Sequence, residues 1–301
     1  MEASAFPYKE EGFELISEEG EYSDSVFETL VVDSNGCFCR HRETTFDYGV
    51  EITIQDKKGN RYSGYWWDSN ARLAGLDIAA CGPAALRYAL DQIGQKPAPG
   101  GKYNMVVESD VASKLVKPLL NALGGYALQQ GNSFLKDSLG QKLFPEGLTI
   151  TDEPHRNREI GSRLFDSEGV ASHDCVIIEN GVIKQYFINT FISGKLGIAP
   201  TIEEAIRPVV KPWPEEGLDK DAIMKMCSKG ILVTGFNGGN YSLATGDFSF
   251  GVEGLLFRNG KVVRPVSEML ITGNILTLWN GLIACGSDAR TCMSKLIPTL
   301  A

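Results

Sequence analysis

Residues 46–55 read FDYGVEITIQ, in which Phe46, Tyr48, Val50, Ile52 and Ile54 alternate with Asp47, Gly49, Glu51, Thr53 and Gln55. A period of two puts one set of side chains in a core and the other in water. Only a strand satisfies that pattern. Lys57-Lys58-Gly59-Asn60 then turns the chain, and RYSGYWW follows as a second strand, so this part is an antiparallel hairpin. Asn-Gly pairs recur at Asn35, Asn180 and Asn259, each between apolar runs. Such pairs tolerate the left-handed backbone of tight hairpin turns. The expectation is a mainly antiparallel set of sheets.

Helical signals are fewer. Residues 78–94, IAACGPAALRYALDQIG, carry Leu86, Leu90 and Ile93 at helical spacing and stop at Gly94, ahead of Pro97 and Pro99. The stretch 95–101, QKPAPGG, reads as a boundary. Residues 109–125, SDVASKLVKPLLNALGG, offer Ser109 or Asp110 as the N-cap and end in Gly124-Gly125, with Pro118 expected to bend the helix. Residues 219–230 and 274–286 supply two more helices. Strands clustered apart from helices imply an α+β fold in two regions, 1–97 with a small antiparallel sheet and one helix, and 98–301, which is β-rich with a few helices.

The chain of 301 residues carries a formal net charge of -9, and its longest basic run is Lys57-Lys58. Nucleic-acid binding driven by clustered cations is therefore not expected. No run of eighteen apolar residues exists, so no membrane span is expected, and the N-terminus is acidic where a signal peptide is basic and then apolar. The expected location is the cytoplasm. Seven cysteines, at 37, 39, 81, 175, 227, 285 and 292, form no CxxC and fit reduced thiols.

Strand alternation places Cys37, Cys39 and His41 on one face, and all three are zinc-ligand types. Zinc needs a fourth ligand, so packing is the preferred reading. His155, in DEPHRNRE, stands beside Asp152 and Glu153, which makes acid or base catalysis conceivable, although a polar turn before a strand is the commoner explanation of such a cluster. His173, in SHDC, reads as a surface strand position. GxSxG, GxxxxGK[ST] and GxGxxG are absent, and three histidines permit no HExxH motif.

Residues 230–254, GILVTGFNGGNYSLATGDFSFGVEG, divide into a β-branched run, a turn-rich loop and an alternating strand. The stretch lacks the lysine and following helix of a phosphate cradle and is too apolar for a linker. Glycine within strands marks bulges or close backbone approach. The expected role is a strand-loop-strand surface that could meet an extended peptide.

GILVTGFNGG, ATGDFSFGVEGLLFRNGKVVRPVSEMLITGN, NSFLKDSLGQKL, LTITDEPH and GSRLFDSEGVASHDCVIIENGVIKQYFINTFISGKLG together resemble the TldD/PmbA family, once called modulators of DNA gyrase. The likeness runs in order from about Tyr22 to Pro298 and is nearest to the PmbA (TldE) branch. In that family the TldD-type subunit carries zinc on an HExxxH helix and cleaves peptides. The PmbA-type subunit pairs with it and lacks the motif.

The resemblance places Val116 and Asn121 where the two histidines would fall and Lys117 where the glutamate would fall. Valine cannot ligate zinc, Asn is a poor ligand, and Lys cannot serve as the carboxylate base. The TldD branch adds a cysteine from near its C-terminus, the general region of Cys285 and Cys292. The resemblance therefore implies a non-catalytic subunit with no metal of its own, zinc on a TldD-like partner in a heterodimer, and unfolded peptide as substrate.

It also places Gly235, Asn237, Gly238 and Gly239 near the peptide cleft or subunit interface, with Asp247 fixing the loop. Family members extend further at both ends, so the resemblance reads the chain as a shortened form or a fragment. The stretch 197–214, GIAPTIEEAIRPVVKPWP, departs from the longer glycine-containing loop of many relatives. Two other readings stand beside this one. They are a stand-alone homodimer that holds peptides without cleavage, and a hydrolase using His155 with Asp152 or Glu153.

Overall fold

The computed structural model describes residues 12–301 and has the expected α+β architecture. The first eleven residues of the acidic N-terminal stretch lie outside the described residues. The first sheet runs β1 (Phe13–Val32), β2 (Phe38–Asp56), β3 (Arg61–Asn70), antiparallel throughout and in that order. The alternating segment is the inner half of β2, where Val50, Ile52 and Ile54 are fully buried. They pack with Tyr48 and Tyr62 against Cys81, Ala85, Leu86 and Ala89 of α1 (Ile78–Leu90). Asp77 starts this helix by accepting the Ala80 N–H at 3.2 Å. The β2–β3 turn is held by Asp56, which accepts the N–H groups of Lys58 and Asn60.

β1 is the strand that residue patterning does not announce. Most of its twenty residues are exposed, because it pairs only with β2 and much of its length lies beyond the reach of α1. With both faces wet, no period of two is needed.

The second region opens with β4 (Asn104–Val107), α2 (Ser109–Ala122) and α3 (Gly125–Gln129). Glu108, not Ser109 or Asp110, occupies the cap position of α2, and it makes no side-chain cap bond because Tyr88 and Lys220 engage its carboxylate. The helix continues through Pro118 and ends at Ala122. Gly124 begins α3 instead of closing α2, and the Gly125 N–H goes to the Phe187 carbonyl at 2.7 Å.

A second sheet follows, ordered β7 (Val182–Ile183), β6 (Cys175–Glu179), β5 (Ile150–Asp152), β8 (Pro208–Val210), with α4 (Thr190–Leu196) between β7 and β8 in sequence. After α5 (Lys220–Cys227) come β9 (Lys229–Phe236), β10 (Asn240–Tyr241), β11 (Asp247–Arg258) and β12 (Lys261–Asn274). β9 pairs in parallel with β4, and β11 pairs antiparallel with β9, β10 and β12. α6 (Ile275–Asn280) is shorter than the sequence suggests.

The Asn-Gly signals are confirmed at two turns. Asn180-Gly181 and Asn259-Gly260 have positive φ at both residues, whereas at Asn35-Gly36 only the glycine does. There Asp33 accepts the N–H groups of Asn35 and Cys37 and widens the loop.

The two regions meet at Arg290. Its guanidinium lies 4.1 Å from the Trp66 ring centroid and 5.0 Å from that of Trp67, and it donates to Asp110 at 3.0 Å and to the Trp67 carbonyl. Arg264 of β12 ties down the connecting stretch through the carbonyls of Lys96 and Pro97.

Gly64 lets α1 approach β3. A Cβ there would lie 2.1 Å from the Ala85 carbonyl oxygen and 2.4 Å from the Ala89 nitrogen, so the helix would have to move. Gly64→Val should lower stability by roughly 3 kcal/mol through overpacking, measured by denaturant unfolding. A loss below about 0.5 kcal/mol would contradict this packing.

Candidate functional site: the glycine loop and the face of α2

β9 and β11 approach so closely that glycine is required between them. A Cβ on Gly254 would fall 1.9 Å from the Leu232 carbonyl oxygen, and one on Gly239 would fall 2.1 Å from that of Ser249. Gly238 differs, with φ +74° and nothing within 4 Å of an added Cβ. Asn237 closes the strand end, its N–H donating to the Gly251 carbonyl at 2.8 Å and its Nδ2 to Glu253 at 3.0 Å. Gly235 is buried in β9, and a Cβ there would first meet the Glu253 side chain.

Asp247 accepts from Asn274 Nδ2 at 3.0 Å and Thr245 Oγ1 at 2.8 Å. These bonds hold its carboxyl below the usual range. The same Asn274 caps α6 through the Leu276 N–H, so the loop is fixed to the β12–α6 corner.

The structure brings this loop to α2. Asn121 Nδ2 donates to the Tyr241 hydroxyl at 2.7 Å, two residues beyond Gly239. Five residues turn a regular helix by about 140° net, and here Val116 is fully buried in the core while Asn121 is at the surface. Lys117 is also exposed. The three positions thus share a helix without converging.

These residues do not fit zinc. Val116 has no donor atom, Asn121 is engaged, and Lys117 is a cation. Cys285 is fully buried between Trp213 and Leu300, and burial pushes its thiol up to about 12. Cys292, against Ser69 and Asp68, is pushed by burial to about 11. Neither is a thiolate at neutral pH. Among the described residues no group of three or more His, Cys, Asp and Glu is arranged to hold a metal.

Cys37, Cys39 and His41 do share a face, and the two sulfurs lie 3.5 Å apart. His41 instead meets the edge of Phe165, and Cys39 packs on Gly169. The trio covers the 165–171 loop.

Around His155 the acids have structural duties. Asp152 is buried and accepts the N–H groups of Ile206 at 2.9 Å and Arg207 at 2.6 Å, while burial raises its carboxyl. Burial also acts to raise Glu153, yet hydrogen bonds from Lys211, Arg156 and Thr151 hold it down at about 2. The residue missed from sequence is Ser172, whose Oγ lies 3.0 Å from His155 Nε2. Its single proton goes to the Arg163 carbonyl at 2.5 Å, so the imidazole donates to the serine instead of deprotonating it. With Ser172 3% exposed, this pair holds a loop and offers no nucleophile. His173 is exposed in coil just before β6, not in the strand itself.

The model of the PmbA/TldA metallopeptidase central domain matches residues 1–93, and that of the C-terminal domain matches residues 100–301. Metalloprotease PmbA of Escherichia coli O157:H7 is 30% identical over 255 residues, covering 82% of this chain and 56% of its own length. The PmbA homolog of Buchnera aphidicola is 26% identical, covering 88% of this chain and 63% of its own length. The chain thus spans somewhat more than half the length of these relatives. The crystal structure of a Bacteroides thetaiotaomicron protein described as a modulator of DNA gyrase superposes with a TM-score of 0.91 at 42% identity, covering 97% of this chain and 66% of its own. TldE from Thermococcus kodakarensis shares the fold, with a TM-score of 0.81 at 20% identity over 93% of this chain and 66% of its own.

The folded-state carboxyl of Glu153 lies below its ordinary value of 4.5, so its contribution to stability is complete above about 4.5 and is lost as pH falls through about 2. Glu153→Gln should therefore destabilise the chain at neutral pH, with the gap to the parent narrowing between those limits. Thermal melts across that window check it, and a gap independent of pH would contradict it.

Proposed function

The chain belongs to the PmbA/TldD metallopeptidase family, and from that premise we propose that it is the non-catalytic, PmbA/TldE-like subunit of a zinc-dependent peptidase. The observation that supports this is the chemistry of α2. Where the resemblance expects two zinc ligands and a carboxylate, the helix carries a core valine, a surface lysine and an asparagine bonded to Tyr241. Hydrolysis then falls to zinc on a TldD-like partner.

This chain, with 1–97 and 98–301 as its two domains, helps to enclose an unfolded peptide in the cytoplasm. The glycine loop, with Asn237, Gly238 and Gly239 exposed, Gly235 buried near the end of β9 and Asp247 as its anchor, borders the cleft or the subunit contact. Lack of side chains there leaves backbone groups accessible to any peptide sequence.

Mixed with a TldD-like subunit, the purified chain should support chelator-sensitive cleavage of unfolded peptides, and alone it should give none. Chelator-sensitive cleavage by this chain alone, with stoichiometric zinc, would refute the proposal. A stable homodimer indifferent to the partner would replace it with the stand-alone peptide binder. Two glycine variants separate function from folding. Gly239→Ala should lower stability by roughly 2 kcal/mol, because its Cβ meets backbone. Gly238→Asn, in open space, should change stability by less than about 1 kcal/mol yet impair partner-dependent cleavage.

A further inference from the structure

β3 pairs with β2 only from Phe46 to Gln55, whereas β1 pairs with it as far as Phe38. Among the described residues, 38–45 of β2 therefore have a strand on one side only, with the Thr44 hydroxyl donating to the Ala71 carbonyl at 2.8 Å. Among the described residues no backbone group outside β1 bonds to their backbone. On an antiparallel strand, alternate residues aim their N–H and C=O groups at each edge, so this edge presents unpaired donors and acceptors. From Arg40 to Thr45 it lines a partly open cleft. Across from it stand residues 155–164, and the space between is a cavity of about 610 Å³.

The lining is basic in a chain of net charge -9. Arg40 is paired with Glu28, and Glu159 with the buried Arg207. Arg42, Arg72 and Arg158 also line the cavity, and no carboxylate among the described residues lies within ion-pair distance of any of them; Glu43, the other acid of the lining, stands 3.9 Å from His41 Nε2. The wall also carries His41, whose buried Nε2 has no hydrogen-bond partner among the described residues. Unpaired backbone along one wall and unpaired guanidinium groups around it suit one ligand chemistry. That ligand is an extended chain bearing carboxylates, pairing its backbone with the edge while its acids meet the arginines.

We infer that the cleft between the free edge of β2 and residues 155–164 binds an acidic peptide segment in extended form. The inference rests on the reading of the chain as a peptide-enclosing subunit and names the class of peptide it would favour. At about 3.3 Å per residue, the edge from Arg40 to Thr45 matches roughly five or six residues of such a segment. An anion alone would use the arginines but not the edge.

The test is fluorescence anisotropy of the purified chain with a labelled, end-blocked peptide alternating Glu and Val. A Gln-for-Glu copy and a copy N-methylated at alternate residues serve as comparisons. The Glu peptide should bind at least about tenfold tighter than the Gln copy, and Arg42→Gln with Arg72→Gln should remove that advantage. Neither arginine has an ion-pair partner among the described residues, so the melting temperature of the double variant should match the parent. N-methylation should also weaken binding by about tenfold, because it blocks edge pairing.

Equal binding of the Glu and Gln peptides, or an unchanged affinity of the double variant, would overturn the inference. So would displacement by inorganic phosphate together with indifference to N-methylation, which would mark a small-anion site. No partner or metal enters this assay. A negative result here leaves the subunit proposal standing, and cleavage by the chain alone would leave this result standing.

Discussion

The guanidinium of Arg290 is the point on which the two regions depend. It stacks over Trp66 in the middle of β3, reaches the Trp67 carbonyl and pairs with Asp110 in the first turn of α2. Beside it, Trp66 stacks on Tyr88 of α1 at 5.3 Å, and the Tyr88 hydroxyl lies 2.7 Å from Glu108 and 3.0 Å from Asp110. One hydroxyl proton serves only one acceptor at a time. Burial pushes the Asp110 carboxyl up, against the opposing pull of Arg290 and the Tyr88 hydroxyl. Removing one member of such a partly buried cluster leaves the others uncompensated, at a cost larger than the net value of the intact set. This cluster fixes where α2 begins, and so where Asn121 meets the glycine loop.

Much of the fold was legible because its signals are local. The alternation of residues 46–55, the turn at Lys57 to Asn60 and the Asn-Gly pairs at 180 and 259 each follow from which backbone angles a few adjacent residues accept. β1 was not legible, since a strand wet on both faces carries no alternation. The start of α2 was misplaced because Glu108 is taken up by Tyr88 and Lys220, which are distant in sequence. Pro118 lies inside α2, as read from the sequence, and the helix runs on through it.

The glycine loop shows the same division. Crowding of Gly239 and Gly254 against neighbouring backbone agrees with the sequence expectation of close strand approach, and Asp247 anchors its loop through Asn274. The bond from Asn121 to Tyr241 joins residues 120 positions apart, and no spacing rule announces it. His155 looked like a candidate base, but Ser172 and the carbonyl of Arg163 turn it into a donor. The arginine-lined cleft gathers residues from the forties, seventies and hundred-and-fifties, none of which forms a basic run in the chain.

The central claim is that α2 serves packing here and leaves the metal to another subunit. Native mass spectrometry of the complex captured from cells, with metal analysis of each separated subunit, tests it most directly. The account predicts one TldD-like partner per chain, with zinc retained by the partner and absent from this chain. Zinc bound stoichiometrically to this chain after separation would contradict it.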